Sequence, residues 1–163
     1  MYKQLFYTAI LFSLLFSSCT FSKGVKKDLA TGLSTSYNGL TINDIYLADE
    51  SGNRLGDNKI TMGSKLAVVA TGVDYFTEKD GNVFPGCSIL LTDKAGNEIL
   101  SLPDAFAGMV NGTTVSEAKV LQASLNTGDP MVVGDIYHLS VRFFDKNKKE
   151  SEIVADVDIK IKE

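Results

Sequence analysis

Tryptophan is absent from the 163 residues, histidine occurs once, at His138, and cysteine occurs twice, at Cys19 and Cys87. Each scarcity removes a class of chemistry. A zinc centre takes three or four ligands, and one histidine with so few thiols cannot supply a His/Cys set. A platform of stacked aromatics for sugar has no Trp to use, and most Tyr and Phe fall in strand-like runs or near the N-terminus. No Gly-x-Ser-x-Gly elbow and no Gly-rich phosphate loop occurs. Nucleophilic catalysis would therefore rest on His138 as base, beside Tyr137 in a strand-like segment, and a hydrolase using His138 is the remote alternative. The carboxylates gather in turns and on one face of the last segment, which does not suggest an acid/base pair. No catalytic residue, cofactor or metal is assigned. The net charge of −4, without a basic patch, points away from nucleic acid.

Also missing is any apolar 3.6-residue period sustained over a dozen residues beyond the N-terminus, so no long helix is expected there. Two-residue alternation is abundant. It is cleanest in residues 152–162, where Ile153, Ala155, Val157, Ile159 and Ile161 face one way and Val154, Asp156, Asp158, Lys160 and Lys162 the other, as in a strand between core and water. Strands are also read at 40–42, 45–47, 60–62, 65–76, 83–92, 98–102, 120–125 and 136–145. In 65–76, Leu66, Val68 and Ala70 share one face and Val69, Val73 and Tyr75 the other. Pro85 marks a bulge or an edge. Residues 103–114 are irregular yet apolar, and Ser116 is read as the cap of one helical turn.

The acidic turns at 49–53, 78–82 and 92–97 raise the question of calcium. They lack the spacing and distal Glu of an EF-hand loop. Gly and Asn after Asp suit tight hairpins. The cluster Lys146-Asn147-Lys148-Lys149 reads as a solvated turn. Cys87 alternates with Ile89 and Leu91 and is expected to be a buried, unreactive thiol.

The first nineteen residues, MYKQLFYTAILFSLLFSSC, have a different character. Lys3 gives a positive start, residues 5–16 form an apolar run, and Ser17-Ser18 leads into Cys19. That run matches a secretory h-region and is shorter than the ~20 residues of a membrane span. The ending resembles the lipobox of bacterial lipoprotein precursors, in which the cysteine is lipidated before type II signal peptidase cuts ahead of it. Phe16 stands where that motif usually has Leu. An ordinary cleaved signal and a retained anchor are the other readings.

The resemblance implies a signal peptide at 1–18, lipidated Cys19 with a flexible tether over 19–37, and a domain at 38–163. Without residues 1–18, 15 basic and 20 acidic residues remain, a net of −5. The run Thr20 to Lys27 holds three lysines and no carboxylate, whereas some surface-exported lipoproteins carry an acidic run there. The resemblance therefore implies an outer-membrane anchor facing the periplasm rather than the cell surface.

Two phrases narrow the fold. Val133-Gly134-Asp135-Ile136-Tyr137-His138-Leu139-Ser140-Val141 resembles the tyrosine corner of immunoglobulin-like sandwiches. Met62-Gly63-Ser64-Lys65-Leu66-Ala67-Val68 is similar to the start of the second strand in bacterial members. An all-β, immunoglobulin-like or fibronectin-like antiparallel sandwich of about seven to nine strands is implied. Such a fold says little about activity. Phe84, Phe106, Met109 and Val110 form the candidate partner-binding loop, because contiguous exposed apolar groups mark contacts; capping of the sandwich end is the competing role. The expected function is a non-catalytic binding or assembly module of the envelope, joined to the membrane through Cys19, with an envelope protein or glycan as partner. The alternative is an accessory glycan- or nutrient-binding lipoprotein.

Overall fold

A computed structural model describes residues 22–163. Ten strands follow one another: β1 (Lys23–Lys27), β2 (Ser34–Asn38), β3 (Asp44–Ala48), β4 (Lys59–Thr61), β5 (Lys65–Thr71), β6 (Pro85–Thr92), β7 (Glu98–Leu102), β8 (Val120–Asn126), β9 (Ile136–Asp145) and β10 (Lys148–Lys162). One sheet has the order β1-β2-β10-β9-β6-β7, and β4 pairs in parallel with the end of β10. The other has the order β3-β5-β8. All remaining pairings are antiparallel. The result is the expected all-β antiparallel sandwich, with ten strands rather than about seven to nine because the β1–β2 hairpin extends one edge.

The alternation in β10 works as its sequence implies. Ile153, Ala155, Val157, Ile159 and Ile161 are all buried, and Asp158, Lys160 and Lys162 face water. Opposite them the second sheet contributes Leu66, Val68, Ala70, Leu121 and Ala123 to the same core. In β5 the alternation ends sooner than its sequence implies. Val69 packs on the outer face with Ala48 and Ala67, but Val73 belongs to the main core. The strand stops at Thr71 and Gly72 turns with φ +63°, a conformation that side chains disfavour. This reverses the sides for the residues that follow, and Tyr75 is left exposed.

The N-terminal part of the domain departs further from the sequence reading. Residues 23–27 and 34–37, expected within the tether, belong to β1 and β2, paired from Lys23↔Asn38 to Lys27↔Ser34. β2 in turn pairs with β10. Leu33 and Thr35 are buried, and Tyr37 packs against the core. The Lys26 Nζ donates to the carbonyl oxygens of Ile42 and Asn43 at 3.1 and 2.7 Å. The sheet therefore begins at Lys23 rather than near residue 38, while Cys19 and residues 1–18 lie outside the described residues. A polar, Ser/Thr-rich segment reads as linker because hydrogen bonding to β10, rather than its own apolar content, makes it a strand.

Tyr137, near the start of β9, is 4% exposed. Its hydroxyl oxygen accepts the backbone N–H of Val132 at 2.8 Å, the upstream bond that a tyrosine corner requires. Tyr137→Phe keeps the ring and removes the acceptor. We expect a loss of about 1 kcal/mol in urea titration, the net value of one such bond; an unchanged midpoint would mean that the corner carries no stability.

Candidate functional site

The segment between β7 and β8 is fixed at both ends, and the groups fixing it come from distant parts of the chain. At its start, one oxygen of Asp104 accepts the backbone N–H of Cys87 at 3.1 Å and of Phe106 at 2.9 Å. The other meets Lys146 Nζ at 2.8 Å. That ammonium also donates to the Phe106 carbonyl at 2.8 Å. Lys146 is thus a clamp for this loop and not one more solvated lysine of the 146–149 turn. Burial works to raise the Asp104 pKa, but Lys146 and the two N–H donors outweigh it and leave it lowered.

At the other end, Val83 and Thr113 exchange two backbone hydrogen bonds of 2.8 and 2.9 Å. Gly112 stands beside them with φ +70°, and a Cβ there would lie 2.5 Å from the Val83 carbonyl oxygen. Only glycine fits this approach. The following 3-10 turn, Glu117–Lys119, is not capped by the Ser116 side chain. Thr114 Oγ1 instead accepts the Glu117 N–H at 3.2 Å, and Glu117 Oε2 accepts the Thr114 N–H at 3.0 Å. This is the reciprocal capping box of Thr-x-x-Glu, legible in Thr114-Val115-Ser116-Glu117 but missed by the sequence reading.

Bonds from the Thr113 hydroxyl and from the Thr114 N–H and hydroxyl lower the Glu117 pKa from 4.5 to about 2. A depressed carboxyl stabilises the fold fully above its unfolded pKa and loses that contribution as pH falls through the folded value. The urea midpoints of wild type and Glu117→Gln are therefore expected to differ by a constant amount above pH 4.5 and to converge toward pH 2. A gap independent of pH would refute this.

Between the clamps, the four candidate residues divide. Phe106 is half-buried and stacks on Phe143, with ring centroids 6.2 Å apart. It caps the core, whereas half-buried Phe84 stands beside Gly112. Met109 and Val110 project from the tip, 41% and 75% exposed. The segment is thus both a cap and an exposed apolar tip on a fixed base.

The other sequence candidates lie apart from it. Cys87 is fully buried, and burial, with a smaller contribution from Asp104, pushes its thiol up to about 12. His138 is on the outer face of β9, with Nδ1 2.9 Å from Asp158 and Nε2 3.8 Å from Asp156. Among the described residues no hydroxyl or thiol is hydrogen-bonded to it. Asp49 and Asp93 spend their carboxylates identically. Each accepts the backbone N–H groups two and four residues ahead and the side-chain amide of the same Asn, so the turns close on themselves. No group of three His, Cys, Asp or Glu side chains among the described residues is arranged to hold a metal ion.

A cleft of about 620 Å³ opens between the β1–β2 hairpin and β3, with Lys26, Asp28, Leu29, Asp44 and Arg54 among its lining. Its charges are largely matched internally, Arg54 meeting Asp44 at 2.8 Å and Asp28 at 3.9 Å.

No protein-family model and no curated protein matches the chain. Among solved structures, the C-terminal domain of wzt is similar, at 11% identity, over 89% of this chain and 80% of that chain, with a TM-score of 0.49.

Proposed function

We propose that the chain is a lipid-anchored lipoprotein of the bacterial envelope, a non-catalytic binding or assembly module held at the outer membrane on its periplasmic side. The observation that carries this reading is the N-terminal sequence: Lys3, the apolar run of residues 5–16 and the ending Ser17-Ser18-Cys19. Such a segment directs export, and the acyl chains added at Cys19 would bury enough methylenes for stable anchoring. The clamped loop supports a binding role, because Met109 and Val110 are displayed on a base too well fixed to fold them inward.

Labelling cells with an alkyne fatty acid is expected to mark the wild type and leave Cys19→Ala unmarked. Equal labelling of the two would refute lipidation at that residue. For the binding role, a photo-crosslinker at Val110 is expected to give a discrete adduct that Met109→Asp abolishes. A tip that crosslinks to nothing in intact envelopes would remove the loop from the proposal.

A further inference from the structure

We propose that the outer edge at β1 is a membrane-docking surface, seating the domain directly on anionic phospholipid headgroups. The inference rests on lipidation at Cys19 as proposed above, and three observations carry it.

The first is chain length. Only Thr20, Phe21 and Ser22 separate Cys19 from β1. A chain extends at most ~3.6 Å per residue, so the Lys23 Cα lies within about 14 Å of the Cys19 Cα. The headgroup layer on each side of a bilayer is itself about 5–8 Å deep. An acylated Cys19 therefore brings β1 to the headgroups, with no long tether to hold the domain away.

The second is what β1 displays. Lys23, Val25 and Lys27 alternate onto one exposed face, and Leu29 follows in the turn. Val25 is 76% and Leu29 90% exposed, more than any other large apolar side chain among the described residues. Among the described residues no strand pairs with the outer edge of β1. Lysines on an edge guard against pairing with another sheet, but that role does not require Val25 and Leu29 to stand in water. Basic heads with interleaved apolar groups fit an anionic interface, where the lysines meet phosphate and the apolar chains enter the glycerol region.

The third is charge polarity. Residues 22–29 hold three lysines and one aspartate, whereas residues 30–163 hold twelve basic against nineteen acidic groups, a net of −7. An anionic surface attracts the β1 edge and repels the body, which orients the domain with β1 down.

The absence of tryptophan makes the test direct, since one introduced Trp is the only indole present. The lipidated full chain carrying Val25→Trp, Leu29→Trp or Val110→Trp is reconstituted into phosphatidylethanolamine/phosphatidylglycerol vesicles brominated near the glycerol end of the acyl chains. Val110 lies in the loop after β7, which is pinned beside β6, four strand spacings or about 19 Å from β1. The Val25→Trp and Leu29→Trp proteins are expected to lose most of their emission to bromine, and Val110→Trp to keep it. Adding Lys23→Glu and Lys27→Glu is expected to restore the Leu29→Trp emission while the protein still floats with the vesicles; unchanged quenching would overturn the part assigned to the lysines. Failure to float refutes the anchor, and the surface with it. Floating protein whose Leu29→Trp is quenched no more than Val110→Trp overturns the surface and leaves the anchor standing. A Leu29→Trp emission that shifts to the blue without quenching identifies a second copy on the edge and overturns lipid as its occupant.

Discussion

Phe143→Ala is expected to cost about 3–5 kcal/mol in denaturant unfolding, the range for removing a fully buried aromatic ring. A domain of this size has only about 5–15 kcal/mol in total. Phe143 has no exposed surface and sits in β9 between Cys87 on one neighbouring strand and Ile153 on the other. Its ring is also the floor on which Phe106 stacks. The loss should therefore reach the site: the Cys87 thiol, inert in the wild type, is expected to react faster with a thiol reagent in Phe143→Ala, and crosslinking at Val110 to fall. Phe143→Leu, which retains most of the volume, should cost much less. A ΔΔG below about 1 kcal/mol for the alanine variant would show that the core closes over the gap.

Asp145→Ala is the second change with a large expected effect, about 3 kcal/mol. Asp145 is fully buried at the end of β9. One oxygen accepts the Thr77 N–H at 2.7 Å and the other the Asn147 N–H at 2.8 Å. The carboxylate thus ties the β9–β10 turn to the segment before β6. Hydrogen bonds to a charged group contribute about 1.5–3 kcal/mol each, and the alanine leaves both donors without a partner. Asp145→Asn retains one acceptor but turns an NH₂ toward an N–H, and is expected to fall between the two. Equal midpoints for Asp145→Ala and wild type would mean that water satisfies both donors.

These two residues mark where the sequence was legible and where it was not. Strand β10 could be read from alternation alone, because its inner residues are all apolar and its outer ones mostly charged. Tyr137 could be read from its glycine-led lead-in. The β1–β2 hairpin could not, since Lys23 to Lys27 and Ser34 to Asn38 hold little apolar content, and β2 is a strand through pairing with β10 across more than a hundred residues, with β1 paired on it in turn. The loop was legible as apolar, but the separate fates of Phe106 and Val110 were not. They depend on Lys146 and Phe143, which lie about forty residues away in sequence and show no local sign of contact. Asp104 and Asp145 looked like ordinary surface carboxylates for the same reason. A carboxylate that closes a turn and one that bonds a distant backbone are indistinguishable until the chain is folded.

The place of β10 has a consequence for the order in which the molecule can be made. It joins β2 on one flank to β9 on the other and also receives β4, yet it is the last of the ten strands to be made. Until its fifteen residues emerge, the hairpin made first has no sheet to join, and the inner face contributed by Ile153, Ile159 and Ile161 does not exist. Pairings of such long sequence separation form slowly, so the growing chain cannot complete its sandwich before β10 has been made. Under the proposed export, late closure keeps the polypeptide unfolded during its passage. Folding is deferred to the far side, where β10 joins the first hairpin to the rest of the sheet.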